Sequence, residues 1–351
     1  MKTHMMARPF SLLLIFILYS YSISASYILI PMDEDSQKDH LKAYGIAFWT
    51  LENNSTVDWL LNYRGGSFLI ENQTKIEKEC IVRGVSYEII TNAFKQQLQL
   101  EIAHPESNTD IIKLEKAPKI AVYSPEGNLP WDDAVTLVLT YSEIPYDIIY
   151  DQEILSDYLP MYDWIHLHHE DFTGQYGKFY ASFKNAPWYI EQKRKFEADA
   201  NKLGYSKVST QKLEVALKIK EFLAGGGFLF AMCSATDSYD IALASEGIDI
   251  CEHMFDGDPI NSSAQQLLNY DKSIAFKDFK LITNPNIYEF SDIDVTRGRK
   301  VPKSQDFFTL FEFSAKWDPV PTMLCQNHSQ IIKGFMGQTT AYNKDLIKSD
   351  V

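Results

Sequence analysis

The sequence predicts an α/β protein in two units, a small α/β unit over residues 27–110 and a larger one over 117–351 built on a parallel sheet. Strand-like and helix-like segments alternate along the chain, as crossovers between parallel strands require. Three strand-to-loop junctions follow one another between "APKIAVYSP" and "YDWIHLHHED". A third observation is "AGGGFLFAMCSATDS", where glycines stop a helix, an apolar strand follows, and a small-residue helix begins at once at Cys233.

In chain order, "YILIPM" reads as a strand and "DSQKDHLKAYGIAFWTLEN" as a helix with apolar residues three and four apart. "VDWLLNYRGGSFLI" gives two apolar runs around Arg64-Gly65-Gly66, and a charged helix, a strand and a further helix follow. The polar stretch Pro105–Asp110 reads as the linker. In the second unit "APKIAVYSP", "YDIIYD" and "YDWIHLHHED" supply strands, and two helical stretches between residues 186 and 224 lead to the glycine run. Beyond residue 250, "DFFTLFEF" and "PTMLCQN" are the clearest strand candidates.

Composition narrows the setting. Lys2 and Arg8, an apolar run and the small residues "SAS" form the three parts of a secretory signal peptide over residues 1–26, so the mature chain is expected to be exported, periplasmic or extracellular. The run falls short of the ~20 residues of a spanning helix, so no membrane span is expected. Removal of the signal takes the net charge from −14 to about −16, which argues against nucleic acid as a partner. Four scattered cysteines, Cys80, Cys233, Cys251 and Cys325, do not form a disulfide scaffold or a zinc ribbon.

Cys233 is the candidate nucleophile. A cysteine at a sharp strand-to-helix turn is exposed at the carboxyl edge of the sheet, where helix amides lower a thiol's pKa and bind an oxyanion. The amides of Ser234 and Ala235 are the expected oxyanion donors, and the alternative is a cysteine packed structurally in a tight turn. "HLHHED" is the densest set of metal-capable groups: His166 and His168 share a strand face, and His169, Glu170 and Asp171 follow on the loop. No cofactor is expected, with a divalent metal at His166 and His168 as one reading and a polar cleft lining beside Cys233 as the other. The acidic pairs Asp256/Asp258 and Asp292/Asp294 lack the regular spacing of a calcium loop. Aromatics with interleaved glycine and amides in "FTGQYGKFYASFKNAPWYIEQ" suit a glycan or peptide surface, or pack a long connection onto the sheet.

The β-Cys-α placement and the element order from residue 117 resemble the class I glutamine-amidotransferase-like fold, in its trehalose-utilisation-like branch. "DWIHLHHEDFTGQYGKFYASFKNAPWYIEQ", "AGGGFLFAMCSATDS" and "DFFTLFEFSAKWDPVPTMLCQNH" resemble an exported bacterial family usually labelled asparagine synthetase B. The resemblance implies a flavodoxin-like parallel sheet and a catalytic His on a late strand. It also implies further sequence beyond residue 351 carrying a Gly-Gly-His-Asp segment, so the second unit is expected to be C-terminally incomplete. Within this sequence His328 is the nearest candidate base. Synthetase chemistry needs an N-terminal cysteine and a Ser-Gly-Gly-x-Asp-Ser pyrophosphate loop, whereas residue 2 is Lys and "SATDS" lacks both glycines that let amides wrap a phosphate.

The expected function is therefore a Cys-dependent hydrolase acting on an amide- or sugar-containing small molecule, glycan or peptide. The alternative is a non-catalytic binding or cell-envelope protein on the same fold, and the glutamine-hydrolysing synthetase of the family label ranks behind both.

Overall fold

The computed structural model describes residues 26–125, 134–298, 302–309, 314–316, 328, 331–333 and 340–348. The expected signal peptide, apart from Ser26, and the strand candidate "PTMLCQN" lie outside the described residues. The chain divides into two compact units, one formed by residues up to Ala117 with Leu310–Gln330, the other by Pro118–Thr309 with Ile331–Val351. Among the described residues no helix is long and apolar enough to cross a membrane.

The first unit is a five-stranded sheet in the order β4-β1-β3-β2-β5. Its strands are β1 (Ser26–Ile30), β2 (Val57–Leu61), β3 (Ser67–Glu71), β4 (Glu88–Thr91) and β5 (Asp110–Leu114). Every pairing is antiparallel, so the expected strand–helix alternation does not produce a parallel sheet here. The connection between β2 and β3 is too short for a parallel crossover, and it closes a hairpin. The period-two alternation of β1 sends Ile28 and Ile30 against helices α1 (His40–Glu52) and α2 (Thr74–Arg83), and Leu29 against α3 (Asn92–Ile102).

Asp110, expected as the last residue of the linker, opens the edge strand β5, which extends this unit to Ala117. The polar Asp110 hid the strand, because an edge position tolerates it. The segment 310–330, expected in the second unit, also belongs to the first, where Asn108 Oδ1 accepts the Ala315 amide at 2.9 Å.

The hairpin turn depends on Gly65, whose φ of +74° is left-handed. A Cβ there would lie 2.3 Å from the Met32 carbonyl oxygen, which is backbone and cannot give way. Gly65→Ala should therefore lower the unfolding free energy by about 3 kcal/mol, read from urea denaturation at constant m. An unchanged midpoint would show that the turn relaxes freely.

The second unit is a parallel sheet in the order β7-β6-β8-β9, with strands β6 (Ile120–Tyr123), β7 (Asp147–Ile149), β8 (Trp164–Leu167) and β9 (Phe228–Ala231). Helix α4 (Ala134–Ser142) joins β6 to β7, α5 (Asp151–Leu155) joins β7 to β8, and α6 (Pro187–Lys202) and α7 (Val208–Ala224) join β8 to β9. Helix α8 (Cys233–Ala244) leaves β9 directly. Ala121, Tyr123, Ile165 and Leu167 point from the sheet onto Val215, Ile219, Ala235 and Leu243 of α7 and α8. On α8, the buried Asp240 accepts the amides of Ile274, Ala275 and Phe276 at 2.7–2.8 Å. Strand β10 (Phe307–Thr309), within the expected "DFFTLFEF", pairs antiparallel with β11 (Ile331–Lys333).

Candidate functional site

The carboxyl ends of β6, β8 and β9 gather the chemistry-bearing residues of the second unit. At the end of β9 the chain turns sharply and α8 begins at Cys233, whose φ is +50°. A cysteine in the left-handed region is strained, because its Cβ crowds the backbone carbonyl by roughly 1–2 kcal/mol. The bend is anchored on its neighbours: Met232 N–H donates to the Leu167 carbonyl at 2.9 Å, and the Tyr342 hydroxyl donates to the Cys233 carbonyl at 2.7 Å. Cys233 is half-buried, whereas Cys80 and Cys251 are buried free thiols.

The two expected oxyanion donors differ. The Ala235 amide is already donated to the His168 carbonyl at 3.3 Å, so it is not a ready donor. The Ser234 amide sits in the first turn of α8, among those that helix geometry leaves without an intrahelical acceptor. Ser234 also ties the elbow to the β8 loop, its hydroxyl donating to the His169 carbonyl at 3.0 Å.

That loop is the "HLHHED" segment. His166 is fully buried in β8 with Nδ1 3.1 Å from the Phe230 carbonyl, and its ring stacks on His168 at 6.1 Å between centroids. Nδ1 of His168 and Nδ1 of His169 lie 3.1 Å apart, so one carries a proton towards the other. Glu170 turns back to accept the His168 amide at 3.0 Å, and burial pushes its carboxyl above the usual range. Asp171 staples the loop, accepting from the Thr173 amide at 2.7 Å and the Gly177 amide at 2.9 Å.

Among the described residues, the group of three ligating atoms within 4.8 Å of one another is Asp249, Cys251 and Asp256, not any set from "HLHHED". Glu170 and Asp171 accept loop amides. At the other group, the Lys207 ammonium lies 2.7 Å from Asp249, 2.9 Å from Asp256 and 2.5 Å from Asp258, supplying the cation itself.

The expected base, His328, belongs to the first unit and is engaged there. Its Nδ1 lies 2.8 Å from the Gly65 carbonyl and its Nε2 2.8 Å from the Tyr44 hydroxyl. Nδ1 therefore holds the proton and Nε2 accepts from Tyr44, which leaves no ring nitrogen for Cys233. Burial, with His40 stacked 4.9 Å away, holds the His328 pKa below the ordinary histidine value.

Sequence reasoning missed four groups around the elbow. Asp237 lies one helical turn beyond Cys233 and is 2% exposed, and burial, reinforced by Asp294, pushes its carboxyl well above the usual range. Tyr342 arrives from 109 residues away in sequence. Tyr288, pushed up to about 12 by burial and then by Cys233 and the nearby acids, completes the set with Asp294. Asp237 comes from the same helix as Cys233, whereas no local pattern announces Tyr288, Asp294 and Tyr342, because segments far apart in sequence deliver them.

A second missed feature lies at the carboxyl ends of β6 and β7. Lys212 of α7, 3% exposed, donates to the Tyr123 hydroxyl at 2.7 Å, the Tyr150 hydroxyl at 2.9 Å and both Asp151 oxygens at 2.8 and 2.9 Å. Tyr123 also donates to Asp151, and Gln211 donates to the same carboxylate at 2.7 Å. Burial works against the Lys212 charge, but Asp151 and Tyr150 outweigh it and hold the ammonium above the usual lysine range. Here a signal did exist: Lys212 falls in helical phase with the buried Val208, Val215, Ala216 and Ile219.

Lys178 behaves in the opposite way. It is 1% exposed, and its ammonium meets only carbonyl oxygens at hydrogen-bond distance, those of Ile282 and Glu289. Burial lowers its pKa to about 8. Between pH 8 and the ordinary value of 10.5 the unfolded chain holds a proton that the folded one releases, so stability rises with pH in that window. From pH 8 to 10 the wild type should gain about 2 kcal/mol relative to Lys178→Met, measured by urea denaturation at each pH. Parallel pH profiles for the two proteins would show that Lys178 stays charged.

Comparison of the chain with protein-family models, curated proteins and solved structures gives no match.

Proposed function

We propose that the second unit is an exported Cys-dependent hydrolase of class I glutamine-amidotransferase-like type, acting on an amide- or sugar-containing substrate with Cys233 as nucleophile. The observation that carries this reading is the left-handed φ of +50° at Cys233, at the junction of a parallel strand and a helix. A non-glycine residue held in that conformation is strained, and such strain gathers where a side chain must be presented to a ligand. The strand order β7-β6-β8-β9 supports it, being the 2-1-3-4 beginning of a flavodoxin-like sheet in the unit's own count.

In this mechanism the Cys233 thiolate attacks the carbonyl carbon of the substrate and forms a tetrahedral intermediate. The C–N bond then breaks, the amine leaves with a proton, and water hydrolyses the thioester to the acid and the free thiol. The paired imidazoles of His168 and His169 are the proton carriers at this edge, and the Ser234 amide faces the developing oxyanion. The test is turnover of a panel of chromogenic primary and secondary amides, with mass spectrometry for an acyl adduct on Cys233. Turnover that survives Cys233→Ala, or no turnover of any amide by the full-length protein, would sink the proposal.

The binding-protein alternative has one observation in its favour, the engagement of both His328 ring nitrogens within the first unit. On that reading Cys233→Ala leaves every ligand interaction intact.

A further inference from the structure

We propose that the cavity at the carboxyl ends of β6 and β8 is a binding site for one neutral sugar ring. The chain leaves β6 for β7 on one side and reaches β8 on the other, so the strand order reverses between β6 and β8. In open parallel sheets the crevice outside that reversal is where ligands bind. A cavity of about 200 Å³ lies there, below the ~300–1,000 Å³ of drug-sized sites, so its ligand is small.

One wall is a turn of left-handed backbone. Tyr176, Gly177 and Lys178 have φ of +53°, +66° and +54°, a conformation that L-residues adopt singly and at a cost. Asp171 accepts the Gly177 amide, and Lys178 is pinned to the Ile282 and Glu289 carbonyls. The turn puts Tyr176 and Phe179 on the cavity, and Phe196 of α6 adds a third ring. Strain held in this way is characteristic of a ligand clamp.

The polar groups set the chemistry. The Lys212 charge is matched by Asp151 and by two phenols, and Glu170 is driven towards its neutral form by burial. Asp171 on the wall is taken up by the Thr173 and Gly177 amides and the His169 imidazole by His168, so a charged ligand would lose its hydration without gaining an uncommitted counter-charge. Gln192 Oε1 is buried with no hydrogen-bond partner among the described residues, so it calls for a donor. The Tyr150 hydroxyl accepts from Lys212 and keeps its own proton to donate. Hydroxyl groups serve both needs, because each is donor and acceptor at once. The C–H face of a pyranose ring suits the three aromatic rings, a match that neither an ion nor a purely apolar molecule offers.

The site does not depend on Cys233 being reactive, so the two proposals fail separately. The experiment is titration of the full-length protein with D-glucose, D-galactose, D-mannose and N-acetyl-D-glucosamine, followed by saturation-transfer NMR, with glutamate and acetate as charged comparators. At least one neutral sugar should bind at millimolar concentration or tighter. Gln192→Leu and Tyr150→Phe should each weaken that sugar about five-fold. Cys233→Ala should leave the affinity unchanged. Phe179→Ala, at the exposed side of the cavity wall, gives a second loss of affinity should either polar variant disturb the fold. The proposal is overturned if no neutral sugar binds, if all three cavity variants bind as the wild type does, or if glutamate or acetate competes more tightly than the sugars.

Discussion

Iodoacetamide added to the folded protein at neutral pH should alkylate Cys233 and leave Cys80 and Cys251 unmodified. The latter two are fully buried, and burial raises the Cys80 thiol to about 12 and the Cys251 thiol well above its ordinary value. Cys251 also donates its S–H to the Thr173 carbonyl at 3.2 Å. A thiol reacts as thiolate, so each unit of pKa above ambient pH costs about ten-fold in reactive fraction before access is considered. Modification of Cys233 well ahead of Cys80 and Cys251 is therefore expected, read by peptide mass mapping against time. Equal modification of the three residues, or protection of Cys233 along with the others, would contradict an exposed nucleophile.

The same residue makes a stability prediction that separates presentation from packing. Cys233 sits at φ +50°, where glycine is relaxed and cysteine is not. Cys233→Gly should raise the unfolding free energy by up to about 1 kcal/mol while abolishing the acyl adduct. A packed structural cysteine would behave differently, since truncation at a buried site leaves a cavity and lowers stability. Stability gained with function lost is the signature of strain maintained for function.

Much of the second unit was legible because its signals are local. The glycine stop, the four apolar residues of β9 and the small residues after Cys233 lie within one stretch, and they fold as that stretch implies. Of the "HLHHED" histidines, His166 lies in β8 as expected, whereas His168 falls just past its end, on the loop with His169. What their spacing could not show was hydrogen bonding: Glu170 and Asp171 turn to backbone amides. The first unit was legible as elements but not as a sheet. Strand direction is set by connection length and pairing, and edge strand β5 opens on Asp110, which reads as the end of the polar linker. His328 and Tyr342 illustrate the remaining gap. Each is delivered by tertiary contact across more than a hundred residues, one to the Gly65 turn and the other to the Cys233 carbonyl.

Lys212→Met should cost about 3–5 kcal/mol of unfolding free energy at pH 8, the largest loss expected from any single substitution in the second unit. Asp151 is 4% exposed and its carboxylate meets Lys212 at two oxygens, so removal of the ammonium strands a buried negative charge. Tyr123 and Gln211 still donate to it, but neither carries charge. The cause is read by comparing single and double variants in urea denaturation. The double variant Lys212→Met with Asp151→Leu should regain most of the loss, because removing both partners leaves no uncompensated charge. A deficit not relieved in the double variant would instead assign the cost to lost packing of the lysine stem over the Tyr150 ring, 4.3 Å from the ammonium.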